Sequence, residues 1–288
     1  MTALQAVPKG THETIHPRKS TGLLLQCLRV PGVSPQTRRQ SLRGNHIRAA
    51  MPKTELQRWE PQLELVDMPL GQVVFEPGGE LHYAYFPLTA IVSLLYVMDN
   101  GESAEIALVG NDGVLGVTVL MGGNSTTIRA VVQSAGQGWR LPARELEAEV
   151  RRGGATLRVL LLYTQALLTQ MTQTAACNRH HTLNQQFCRW LLMSFDRLGG
   201  DEMVMTQKLI AKMLGVKAEE VTGSAQALQA SGAITYDDGR IRLLDRTALL
   251  SASCECYEVV RRECERLLPR PLGKVIARHD KLEAVANK

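Results

Sequence analysis

Four things are missing from this sequence, and each absence removes a class of protein. The six cysteines, at 27, 177, 188, 254, 256 and 264, form no disulfide framework, so a reducing cytoplasm is the expected setting. No apolar run approaches the roughly 18 residues of a membrane span, and Leu23-Leu24-Leu25 is too short for a signal-peptide core. There is no GxxxxGKS, GxxxxGKT, HExxH or GxSxG motif, and the acids and histidines do not cluster with a nucleophile. No catalytic residue is therefore assigned, and an enzyme is the least favoured class. Acids, finally, are nearly absent from the start of the chain. Residues 1–50 hold eight Lys or Arg and one acid, Glu13, a net +7 against +5 for the whole chain, which leaves −2 for the remainder. The basic pI belongs to this tail and is no evidence for a basic nucleic-acid face.

What is present is enough for two ordinary domains: 288 residues, 44% hydrophobic and 21% charged. The stretch Thr206 to Ile234 reads as two short helices around a tight turn. Leu209, Ile210, Met213 and Leu214 share one face of the first, Ala211 is small where a second helix would cross, and Gly215 gives the turn its permissive backbone. Val221, Ala225 and Leu228 face inward on the second helix. This is helix-turn-helix spacing. Two short strands around Asp237-Asp238-Gly239 then make a hairpin wing. Such a unit places a helix in the DNA major groove; the alternative is a three-helix packing unit without a nucleic-acid role.

In chain order, residues 1–44 read as a disordered basic tail with Pro8, Pro17, Pro31 and Pro35. A solvated tail is favoured over a nucleic-acid arm or a transit-like segment. Asn45–Leu65 reads as a helical lead-in. From Leu70 to Leu141, strands over 72–75, 83–86, 91–97, 104–109, 128–133 and 138–141 alternate with turn signals, which argues for a β-sandwich or roll. Asn100-Gly101 predicts a type I′ hairpin. The roll's concave interior could hold a ligand or be simple core. Residues 155–178 form a long helix whose apolar stripe, Leu157, Leu160, Leu161, Thr164, Leu167, Leu168 and Met171, has heptad-like spacing. A two-fold partner helix is expected to cover it, with burial against the chain's own β domain as the alternative. Thr182 caps a following helix through about Arg197, Gly199-Gly200 is a hinge, and Thr247–Leu268 forms a last helix before a frayed tail.

This order resembles the Crp/Fnr family of bacterial transcription regulators over about Asn45 to Leu268. The stretches that carry it are Tyr85-Phe86-Pro87, Ile91 to Tyr96, Glu105-Ile106-Ala107, Val109-Gly110, Cys177-Asn178-Arg179-His180-His181, Leu214-Gly215-Val216 and Cys254-Glu255-Cys256-Tyr257. The resemblance implies an α+β chain: an N-terminal antiparallel, jelly-roll-like β-roll sensor (45–150), a dimerisation helix and its successor (151–198), a C-terminal winged helix-turn-helix (199–268) and a tail (269–288). It implies a cytoplasmic homodimer on a two-fold operator in double-stranded DNA, an unidentified small-molecule effector, and RNA polymerase as a further partner. The DNA-binding candidates are Thr206 and Gln207 toward phosphate, Lys217, Ala218, Glu219, Thr222 and Gln226 on the recognition helix, and Arg240 and Arg242 from the wing.

The chain departs from the family pattern in three places. Where a cyclic-nucleotide pocket has Gly-Glu and Arg-Ser, this sequence reads Gly116-Val117 and Asn124-Ser125, with Arg129 two to three residues away from the required place. Cyclic AMP is not expected to bind. Only Cys27 precedes the roll, so no iron–sulfur cluster is expected within one chain. Cys177, His180 and His181, with Cys188 nearby, sit at a helix end and start and not in a metal-ligand loop, so the histidines are expected to satisfy backbone groups; Cys254-x-Cys256 reads as packing under the last helix, since no second ligand pair follows at zinc spacing, and no metal or cofactor is assigned. On the recognition helix, Ala218 and Gly223 stand where arginines are frequent, and residues 200–250 carry six basic and seven acidic groups. Since phosphate neutralisation dominates affinity, a degenerate dimer with weak or no DNA binding is the second reading.

Overall fold

The computed structural model describes residues 44–268. The tails read from the sequence, 1–44 and 269–288, lie outside the described residues apart from Gly44. Asn45, fully buried, anchors the lead-in. Its Oδ1 accepts from Arg48 N at 3.2 Å and caps α1 (His46–Ala49), while its Nδ2 donates to the carbonyls of Pro87 (2.9 Å) and Gly113 (2.8 Å). One amide thus caps a helix and ties it to the end of a roll strand at Pro87 and to the loop at Gly113. α2 (Lys53–Trp59) and a 3-10 turn follow.

The lead-in ends sooner than the sequence predicts, because β1 (Glu64–Met68) is a strand. Only Met68 of its five side chains is buried, so no alternation marked it. β2 (Val73–Phe75), β3 (Tyr83–Pro87), β4 (Ile91–Val97), β5 (Ser103–Val109), β6 (Arg129–Ser134) and β7 (Gly136–Pro142) match the predicted strands to within a residue or two. They form two antiparallel sheets, ordered β1-β7-β3 and β2-β6-β4-β5. Between the sheets lie Phe86, Val92, Val132, Trp139 and Leu141, and Trp59 of α2 closes one end. Turn chemistry differs at one hairpin. Gly101 has φ 84° but Asn100 is not left-handed, and five residues separate the paired Val97 and Ser103. A type I′ turn needs both central residues left-handed; here Gly101 N instead bonds Met98 O at 2.9 Å within a longer loop. A short α3 (Val117–Leu120), with Gly116 at its N-cap, interrupts the loop before β6.

α4 (Ala143–Arg152) leads to the long α5 (Gly154–His180), 27 residues or about 40 Å. Its start is capped from a distance: Glu55 accepts from Ala155 N (3.3 Å) and Thr156 N (2.7 Å). A carboxylate suits a helix N-terminus, and the Thr156 bond, the largest cause, holds the Glu55 carboxyl below its ordinary range. The predicted leucine stripe divides between two faces. Leu160 and Leu167 are buried in the chain's own roll core, with Met171 half-buried against it. Leu161 and Leu168 point the other way and are 53% and 57% exposed. Neighbours in a helix are about 100° apart, so 160 and 161 cannot serve one surface.

α6 (Leu183–Leu198) begins with a capping box between Thr182 and Gln185. It is buried over most of its length and joins the two cores. Ser194 accepts from Gln133 Nε2 of β6 at 3.3 Å, and Phe187, Leu191 and Phe195 enter the second core. That core is shared with α7 (Gln207–Leu214), α8 (Ala218–Ala230) and a three-stranded sheet, β8 (Glu202–Val204), β10 (Arg240–Leu243) and β9 (Ile234–Asp237), in the order β8-β10-β9. The hairpin is as the sequence predicts, and β8 is an additional strand paired with β10. The single last helix predicted is two, α9 (Arg246–Ala252) and α10 (Glu255–Leu267). Ser253 and Cys254 are extended and break it, while Asp245 caps α9 through Thr247 N at 2.8 Å. No helix of the described residues is long and apolar enough to cross a membrane.

Candidate nucleic-acid interface

Thr206 caps α7, its hydroxyl accepting from Leu209 N at 3.3 Å. Gly215 ends the helix with φ 68°, a conformation that would strain a larger residue. Its N–H and that of Val216 both reach Ala211 O. Val221, Ala225 and Leu228 seat α8 on the second core. The outer face of α8 therefore carries Glu219, Thr222 and Gln226 at helical spacing, with Lys217 at the N-cap. Lys217, Glu219 and Gln226 are exposed, while Ala218 and Thr222 are half-buried.

Two of the sequence-predicted contacts bind each other. The Thr222 hydroxyl lies 2.8 Å from Gln207 Oε1 and 3.1 Å from Ala218 O. Thr222 and Gln207 so fix the angle between α7 and α8, and neither polar group points freely outward. The wing arginines are engaged as well. Arg240 and Arg242, two residues apart on one face of β10, both close on Glu202 of β8, at 3.1 and 2.8 Å. The hydrogen bond from Arg242, then that from Arg240, lowers the Glu202 carboxyl below its ordinary range. Arg246 is likewise committed, to Asp196 at 2.5 Å and the Tyr257 hydroxyl at 2.7 Å. Lys208, Lys212 and Lys217 remain exposed along α7 and the turn. α7 also lies against β5; a Cβ at Gly215 would come 4.0 Å from Ala104 Cβ.

At the positions compared with a cyclic-nucleotide pocket, Gly116 is left-handed with φ 95°, and Val117 opens α3. Asn124 O accepts from Leu81 N at 2.8 Å, Ser125 bridges to Glu80, and Arg129 is paired with Glu76 at 2.8 Å.

A second grouping was not legible as one. Cys177 and His181, four apart at the end of α5, meet Cys254 and Cys256 at the α9–α10 junction. Their ligand atoms all lie within 4.8 Å of one another. In the sequence the two pairs stand apart, since Cys177 and Cys254 are 77 positions from each other.

A model of the Crp-like helix-turn-helix domain matches residues 185–252. No curated protein matches the chain. Several solved structures share its fold. FixK2 from Bradyrhizobium japonicum is 18% identical with a TM-score of 0.58, over 67% of this chain and 98% of that one. The CRP-family transcriptional regulator TTHB099 from Thermus thermophilus is also 18% identical, TM-score 0.53, over 65% and 96%. The c-di-GMP-responsive global regulator CLP of Xanthomonas campestris is 14% identical, TM-score 0.53, over 67% and 100%.

Proposed function

We propose that this chain, which carries a Crp-like helix-turn-helix domain on a fold shared with Crp/Fnr regulators, regulates transcription as a homodimer that reads a two-fold operator. The observation that carries this reading is α8, seated by Val221, Ala225 and Leu228 so that Lys217, Glu219 and Gln226 stand on its open face. Such a helix fits the major groove, where Gln226 can pair with an adenine edge and Glu219 can accept from a cytosine amine. Lys208, Lys212 and Lys217 supply phosphate contacts around it. The dimer forms along Leu161 and Leu168 of α5, with Leu157 and Thr164 between and before them; two copies place their recognition helices about one helical turn of DNA apart, ~34 Å. An effector unlike cyclic AMP acts on the roll, since Arg129, the cation nearest in sequence to the Arg-Ser place, is paired with Glu76; calorimetry with cyclic AMP should give no heat of binding. RNA polymerase would be the further partner of an activator.

Selection of operator fragments from genomic DNA, followed by gel shifts from about 50 to 200 mM salt, tests the reading. A preferred two-fold sequence with a steep salt dependence is the expected result. A second reading, a dimer that binds a ligand or protein but little DNA, is favoured by the capture of Arg240 and Arg242 by Glu202. Failure to bind any fragment at the lowest salt would select it.

A further inference from the structure

We propose that Cys177, His181, Cys254 and Cys256 form a closed, four-coordinate zinc site that clamps the end of α5 to the start of α10. Four ligand atoms within 4.8 Å of one another is what a single small ion requires. In a tetrahedral site with Zn–S near 2.3 Å and Zn–N near 2.0–2.1 Å, neighbouring ligand atoms fall roughly 3.4–3.8 Å apart. Cys177 Sγ and Cys254 Sγ are 3.5 Å apart, and Cys256 Sγ is 3.5 Å from His181 Nδ1. The donor set is three sulfurs and one imidazole, the composition of structural zinc sites. It is also soft, which disfavours magnesium or calcium.

Local structure explains how the four meet. Cys177 and His181 are separated by one helical turn, so both project from the same side of the α5 terminus. Cys254 is the N-cap residue of α10 and Cys256 its second helical residue, so the start of that helix delivers two sulfurs to one point. All three cysteines are buried, and they form a cluster of their own, apart from both main cores.

Two neighbours complete the chemistry. His181 Nε2 lies 3.3 Å from the Glu255 carboxylate. That leaves Nδ1 for the metal and gives the other ring nitrogen an acceptor, the arrangement usual behind a metal-bound histidine. The second neighbour is Arg189 of α6. It is buried, its Nη2 donates to the Thr174 hydroxyl at 2.7 Å, and its Nε has no partner among the described residues. No carboxylate of the described residues is in ion-pair contact with it. A buried cation without an anion is costly. Zinc with three thiolates and a neutral imidazole carries a net charge of −1 and supplies the missing anion. Arg189 is near enough to the Cys177 and Cys256 sulfurs to interact with them electrostatically. Zinc binding displaces three thiol protons, which pass to solvent.

The site joins the end of α5 to the start of α10, beside α6, so the ion would fix how these helices meet. This inference does not depend on DNA binding. The full chain, purified under reducing conditions without chelator, is expected to hold one zinc per chain by elemental analysis. Replacing zinc by cobalt should give the intense d–d bands of tetrahedral Co(II) and a thiolate charge-transfer band. Cys254→Ser should lose the metal and the spectrum, while Cys264→Ser, on α10 but outside the cluster, should keep both. Because Cys254→Ser could fail to fold, the wild-type chain gives an independent reading: a chelator should release the zinc and expose three additional reactive thiols. A wild-type chain that takes up neither zinc nor Co(II) while all its thiols react as free overturns the proposal. So does a mass lower by two hydrogens, reporting a Cys177–Cys254 disulfide in place of the ion.

Discussion

Arg197 of α6 and Asp112 of the β5–α3 loop meet at two points, Nη2 to Oδ2 at 2.7 Å and Nε to Oδ1 at 3.1 Å. The guanidinium is buried and finishes its hydrogen bonds on Met193 O and Gln170 Oε1. Gln170 in turn donates to Leu108 O of β5. Gly110 permits this contact, because a Cβ there would lie 2.8 Å from Arg197 Cβ. One ion pair therefore links the roll, the long helix and the helix that enters the second core.

Removing half of a buried pair strands the other charge, at a cost of about 3–5 kcal/mol. Asp112 is partly exposed, so solvent screens the loss. Asp112→Ala is expected to cost about 2 kcal/mol, and Gly110→Ala a similar amount through overpacking of about 1–3 kcal/mol. Urea unfolding of each variant checks the pair. If Arg197 serves as the link between cores, both should also broaden the transition, because the roll and the second core would no longer unfold together.

Glu202 pairs with both Arg240 and Arg242 on the exposed face of the wing and competes with phosphate for them. Glu202→Gln removes the charge but keeps the shape of β8. On the regulator reading, DNA affinity should rise several-fold at low salt. Each arginine that reaches a phosphate should steepen the plot of log K against log salt by about 0.9. Titrations of wild type and variant at four salt concentrations measure it. An unchanged slope would show that the wing does not approach the duplex.

Much of this was legible in the sequence, and the limits have physical causes. The roll strands could be read because Gly-rich turns punctuate alternating apolar residues, and the helix-turn-helix because Ala211, Gly215 and Val221 each answer a steric demand. β1 was missed because one buried side chain in five gives no period. The α9–α10 break was missed because Ser253 and Cys254 carry no turn signature. The leucine stripe marked α5 as an apolar helix, but not that Leu160 enters the roll core while Leu161 stands exposed. The cysteine grouping was hidden since tertiary packing alone brings its two halves together. Of the interface candidates, side-chain identity could not disclose that Thr222 is bound to Gln207 or that Glu202 holds both wing arginines.

The division of the stripe makes the dimer testable. Leu161→Asp with Leu168→Asp places charges on exposed positions, so the folded subunit should lose little stability, within about 0.5 kcal/mol at each surface site. The same variant should sediment as a single chain where the wild type sediments as a pair. Leu160→Ala should behave the opposite way. It opens a cavity in the roll core and should cost about 2–5 kcal/mol, without a direct effect on association. A double aspartate variant that still pairs would move the dimer interface off α5.

Glu105 supplies a pH dependence of predictable sign. It is buried on β5, its Oε2 lacks a partner among the described residues, and desolvation pushes its carboxyl from 4.5 to about 8, against the pull of the Ser93 hydroxyl, Arg189, Trp190 and Arg197. The folded state thus keeps a proton that the unfolded chain releases above about 4.5. Where the native state binds more protons, stability falls as pH rises. The contribution of Glu105 is fully present below 4.5, declines through neutral pH, and is lost above about 8, a change of up to a few kcal/mol. Glu105→Gln keeps the amide-sized group and removes the titration. Urea midpoints at about pH 5, 7 and 9 should fall more steeply for wild type than for the variant, with the variant gaining its largest relative advantage at the alkaline end. Parallel pH profiles for the two proteins would mean that the carboxyl is ionised in the folded chain with Arg189 as its partner, and Arg189 would then no longer need an anion from the cysteine cluster.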